Sequence, residues 1–107
     1  MSGGSFGEMG NLLAAAQKMR KAMDEAKEEI AGQEVQGTSG GGLVAVQATG
    51  DGEVQRITIS DEAWSSGKGA VEDLVQAAVA DALTKAARLR DDRLSKVTGG
   101  MNLPGLF

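Results

Sequence analysis

"GTSGGGLVAVQATGDGEVQRITI", residues 37–59, contains two runs of alternating side chains set off by glycine-rich turns. Val44, Val46 and Ala48 share one side of an extended chain, and Ile57 and Ile59 do the same on the second run. Gln47, Arg56 and Thr58 are left for the other side, so one covered and one wetter face are expected. Gly50-Asp51-Gly52 between the runs reads as a hairpin turn, because positive φ angles favour Gly and Asp. With a shorter β-like run at 34–37, the stretches 43–49 and 53–60 predict a three-stranded antiparallel meander.

The glycine cluster at 37–42 invites a competing reading as a phosphate cradle. Gly37 and Gly42 have P-loop separation, but Leu43 and Val44 stand where a phosphate-binding lysine and a magnesium-binding hydroxyl are needed. Gly40, Gly42 and Ala45 fit a loose dinucleotide fingerprint, yet they run into a strand and open no helix toward a pyrophosphate. The cluster is therefore read as a bend.

Helices flank the meander. Met9, Leu12, Ala16, Met19, Met23, Ala26 and Ile30 recur at steps of three and four, which predicts a long helix over 9–30 with a narrow, heptad-like seam. Such a seam suits another helix or a partner subunit, and Gly32 is its expected terminator. After the meander, Asp61 is a candidate cap for a short turn through Ala63 and Trp64, and 65–69 reads as a link. Val71, Leu74, Val75, Ala78, Val79, Ala82, Leu83, Ala86 and Leu89 form a stripe wide enough to cover a sheet, predicting a second long helix over 70–97. Gly99 and Gly100 end it. The expected fold is α+β, a two-layer α-βββ-α unit over 9–98, between a mobile N-terminus (1–8) and a flexible tail (99–107).

A chain of 107 residues buries only a modest core, so a dimer is expected. It has no cysteine and no histidine, which removes thiolate chemistry, sulfur-based zinc sites and the usual general base. The adjacent acids Glu28–Glu29, Glu72–Asp73 and Asp91–Asp92 point about 100° apart on a helix and do not converge on a substrate. No enzyme, cofactor, metal or small-molecule substrate is expected. No membrane span and no leader are apparent in the sequence, and a cytoplasmic protein is expected.

The formal net charge of −4 argues at face value against nucleic acid. Its distribution is more informative: 9–22 holds three bases and no acid, 23–31 one base and four acids, 71–84 three acids only, and 85–97 five bases and two acids. In the second helix this order follows the macrodipole; in the first it opposes it, with Glu28 and Glu29 costing roughly a few tenths of a kcal/mol each. Spacing of four offers Arg20–Asp24, Lys21–Glu25, Asp81–Lys85, Arg88–Asp92 and Asp92–Lys96 as intrahelical pairs. Lys18, Arg90 and Arg93 have no such neighbour and are the first candidates for an external anion; Lys27, near Asp24, ranks lower, and Arg56 and Lys68 read as simply solvated.

The ordered set "MGNLLAAAQKMRKAMDEAKEEIAGQEVQGTSGGGLVAVQATGDGEVQRITI", "VEDLVQAAVADALTKA" and "GGMNLPGLF" resembles the YbaB/EbfC family of bacterial nucleoid-associated proteins. The resemblance implies a homodimer that binds double-stranded DNA with limited sequence preference and organises the nucleoid or modulates transcription. It also implies DNA contact through Lys18, Arg20 and Lys21 on the first helix and Arg88, Arg90, Arg93 and Lys96 on the last. The alternative is a protein-protein interaction module that uses the seam and tails without touching DNA. With Phe6, Trp64 and Phe107 as the only aromatics, base stacking on single strands is disfavoured against backbone contact to duplex.

Overall fold

The computed structural model describes residues 2–99, with side chains from residue 7 onward. The order is α1 (Ser2–Gly32), β1 (Glu34–Ser39), β2 (Val44–Thr49), β3 (Val54–Ile59), α2 (Asp61–Ser65) and α3 (Lys68–Val97). This is the expected α-βββ-α, α+β arrangement. The sheet is antiparallel in the order β1-β2-β3, with Val46 opposite Gly37 on one side and Ile57 on the other. A register irregularity at Gln47/Ala48 brings Ala48 opposite Val54.

The start of α1 and one cap differ from expectation. α1 begins at Ser2 and takes in residues 2–8, expected to be a mobile end, since extending a helix needs far less than nucleating one and no proline intervenes. Met1 and the tail beyond Gly99 lie outside the described residues. Ser60, one position before Asp61, caps α2: its Oγ accepts the Ala63 N–H at 3.1 Å.

The glycine cluster is a bend, as read. Gly40, Gly41 and Gly42 all have positive φ (59°, 70° and 103°), and the Gly42 N–H bonds the Ser39 carbonyl. Gly37 has a different duty inside β1. A Cβ there would lie 2.2 Å from the Ala82 backbone nitrogen and 2.4 Å from the Ala78 carbonyl oxygen, so α3 crosses the strand backbone-to-backbone. Ala78 and Ala82, fully buried on α3, are the small residues that permit this approach.

That crossing decides the core. α3 lies over β1 and β2 and barely reaches β3. Val44, Val46 and Ala48 are buried against Ala78 and Ala82, with Val35, Leu43, Leu74, Val75 and Val79 around them. Ile57 was expected on the covered face; it shares that face but is 45% exposed, because the close approach at Gly37 centres the helix away from β3. Val54 is exposed in the same way, and Leu83 on α3, also exposed, lies beside the neighbouring Gly52.

A second cluster joins the helices. Met23, Ala26 and Ile30 of α1 pack on Leu94, with Leu89 and Val97 partly buried beside them. The seam's last two turns are thus satisfied within the chain. Gly50 makes the junction: a Cβ there would meet the Ile30 carbonyl at 2.4 Å and Leu89 at 3.0 Å, and its N–H bonds the Gln33 carbonyl. α1 arrives at the sheet where α3 leaves it, so the two run antiparallel and overlap only in part. The result is a rod 79 Å long and 21 by 16 Å across.

Candidate nucleic-acid interface

The seven candidate bases do not gather in one patch. Lys18, Arg20 and Lys21 are exposed on the part of α1 that extends beyond α3. At 100° per residue, Lys18 and Arg20 flank the apolar seam on opposite sides while Lys21 points away from it. On α3, Arg88 and Lys96 are exposed, whereas Arg90 and Arg93 are half-buried on the flank that faces α1. Arg88 and Arg90, about 200° apart on the helix, face different directions.

Ion pairing inverts the order of merit suggested by spacing. Arg93, expected to be without a carboxylate, donates from Nε to Glu29 Oε2 at 2.6 Å across the α1/α3 junction. The partners are 64 residues apart, beyond any reading of helical spacing. The same bond accounts for Glu29 in the unfavourable last turn of α1: what the macrodipole opposes, an interhelical guanidinium offsets. Both groups are partly exposed, so screening limits the pair to about 1 kcal/mol or less.

Of the expected intrahelical pairs, Asp81–Lys85 forms at 3.2 Å. Arg20, Lys21, Arg88 and Lys96, expected to be paired, have no carboxylate within salt-bridge distance among the described residues. Lys68, read as isolated, lies 3.8 Å from Glu72 in a fully solvated i,i+4 contact. The bases free of an ion pair therefore include three within four residues of α1, at 18, 20 and 21. A shallow depression of about 380 Å³ runs along this surface, with Gln17, Arg20 and Lys21 at one end and Asp24, Glu25 and Glu28 at the other. An anion is favoured only at its N-terminal end.

Asp81 and Lys85 serve the fold. The Asp81 carboxylate accepts the Thr38 N–H at 2.9 Å, and Lys85 donates to the Gln36 carbonyl at 2.9 Å. The Thr38 N–H and then the Lys85 ammonium hold the Asp81 carboxyl below its usual range. No group of three His, Cys, Asp or Glu residues suited to a metal ion occurs among the described residues, and no described helix is long and apolar enough to cross a membrane.

Comparison with known proteins agrees with this architecture. The structure is similar to the crystal structure of uncharacterized protein HP0035 from Helicobacter pylori, with a TM-score of 0.72 and 26% identity, over 88% of this chain and 97% of that one. The profile of the YbaB/EbfC DNA-binding family matches residues 6–101, nearly the whole chain. A long first helix, a three-stranded sheet and a long last helix, in the order the sequence motifs follow, thus occur in a chain that belongs to the YbaB/EbfC DNA-binding family.

Proposed function

We propose that the protein binds double-stranded DNA as a homodimer, through phosphate contacts with limited sequence preference, and so organises the nucleoid or modulates transcription. The observation that carries this reading is the exposed trio Lys18, Arg20 and Lys21, free of ion pairs, in a chain of a DNA-binding family. Arg88, Arg90 and Lys96 extend the contact along α3, while Arg93 is given chiefly to Glu29. The face available to a second copy is the uncovered β3 side, where Val54, Ile57 and Leu83 expose apolar surface. A dimer presents each basic segment twice, and two linked weak sites bind more tightly than one.

The test is a salt series of binding isotherms on duplex DNA, with the mass of the species measured in parallel. Replacing Lys18, Arg20 and Lys21 by alanine should flatten the slope of log K against log salt by about 0.9 for each phosphate contact removed. An unchanged slope would remove the site assignment, and no duplex binding at low salt would remove the function. The net charge of −4 favours a second reading, a protein-interaction module without DNA contact. It predicts a partner that stays bound after nuclease treatment and no gel shift at low salt.

A further inference from the structure

The apolar stripe of α1 outruns the helix that covers it. Met23, Ala26 and Ile30 pack on Leu94, but every residue from 7 to 21 is exposed, with Leu12 71%, Leu13 62% and Met9 59% bare. A lone helical segment of this length is marginal in water unless its apolar face is covered. α3 stops at the foot of the bare stretch, where Val97 packs on the Met23 cluster and the Gly99 N–H closes the helix on the Lys96 carbonyl. The covered part of the stripe thus accepts an antiparallel helix, and the bare part, Met9, Leu12, Ala16 and Met19, continues the same steps of three and four.

We propose that residues 7–21 of α1 pair antiparallel with the same residues of a second copy, which continue the track of α3 along the stripe. The contact is separate from the β3 side and does not depend on the DNA reading. In this register Met9 lies opposite the second copy's Met19, and Leu12 opposite its Ala16, so a large side chain meets a small one where the helices come closest. The overlap spans about 21 Å and ends short of Met23, where α3 takes over. A shallow depression of about 370 Å³ beside Ala16, Met19 and Met23 receives the second copy's Met9, a side chain suited to irregular space.

Charge selects the orientation. Parallel helices would set Lys18, Arg20 and Lys21 level with their own counterparts across an interaxial distance of about 8–10 Å. Antiparallel helices move Lys18 eight positions from its counterpart, about 12 Å along the axis and beyond the Debye length of about 8 Å in physiological salt. The two basic trios then stand at opposite ends of one short rod, where a duplex would meet six bases at once. A contact of this length falls below the area of a stable interface, so the pairing is weak and depends on concentration.

The chain has no native cysteine, so Ala15→Cys and Glu25→Cys, each in the full chain, carry single nitroxides. Without DNA, dipolar spectroscopy at high protein concentration should give a distance under about 20 Å at position 15, which flanks the centre of the overlap, and one over about 30 Å at position 25. Short distances at both positions, as in a parallel pair, or no short distance at position 15, overturn the proposal. A second variant, Leu12→Glu with Leu13→Glu, alters none of the described core. Hydrogen exchange of amides 9–19 should slow by about tenfold from dilute to concentrated parent protein and stay fast in this variant. Exchange in the parent that ignores concentration, or that slows only when vesicles of phosphatidylglycerol are added, overturns the proposal as well.

Discussion

The two edges of the sheet are treated differently by the one helix that packs on it. At β1, α3 passes close enough to exclude any side chain at position 37, and its Asp81–Lys85 pair reaches over to bond the Thr38 N–H and the Gln36 carbonyl. A strand edge occupied in this way is a poor template for another chain. At β3, five of six residues are exposed, and Val54 and Ile57 present apolar side chains with no helix over them. One edge is closed by its own chain; the other is left for something else. The difference arises from the sizes of a few residues, Gly37, Ala78 and Ala82, more than from any difference in strand propensity.

The closed edge should be the easier to break. Gly37→Val drives a branched side chain into the backbone of α3, which cannot yield as a flexible side chain would, and should cost at least about 3 kcal/mol. Urea denaturation measures this, and a cost below about 1 kcal/mol would mean that α3 does not cross at that point. Next comes a matched pair on the same sheet face. Val46→Ala, in the fully buried centre, should cost about 2 kcal/mol, whereas Ile57→Ala should change the unfolding free energy of dilute protein by about 0.5 kcal/mol or less. If a second copy covers β3, Ile57→Asp should shift the dimer toward monomer in sedimentation while leaving circular dichroism unchanged. Equal costs for the two alanine variants in dilute solution would erase the contrast between the edges.

The smallest effect belongs to Asp81. Its folded carboxyl is depressed below the ordinary value of 3.8, so its contribution is present above that value and is lost as pH falls through the folded pKa. The melting temperature of Asp81→Asn should therefore fall less than that of the parent between pH 5 and pH 3. An identical fall would show that the clasp on β1 adds nothing.

Much of the fold is legible in the sequence because it rests on periodicity. Val44, Val46 and Ala48 alternate, the α1 seam steps by three and four, and glycines punctuate both hairpins. What escapes such a reading depends on where elements meet. Gly37 reads as the start of a glycine loop; a glycine inside a strand opposite the i,i+4 alanines Ala78, Ala82 and Ala86 is the signal that a helix comes close. Gly50 likewise reads as a turn residue, although its surroundings are the end of α1 and Leu89. Among the candidate bases, spacing reveals pairing within one helix only, and the contact that matters joins two helices. Neither Arg93 nor Glu29 betrays the other in a one-dimensional pattern.

The wide separation of those two residues also bears on the order of assembly. Sheet hairpins form from segments close in sequence and the α3 clasp on β1 spans 43 to 49 residues, whereas α1 meets Arg93 only after 64 residues have been closed into a loop. Contacts of that range are slow to form. During synthesis α1 is made first, but beyond the junction of Ile30 with Gly50 its apolar face has nothing to pack on until Leu89, Leu94 and Val97 have been added. The segment of the chain that is made earliest is thus the last to find its place, and the nascent protein folds from its middle outward.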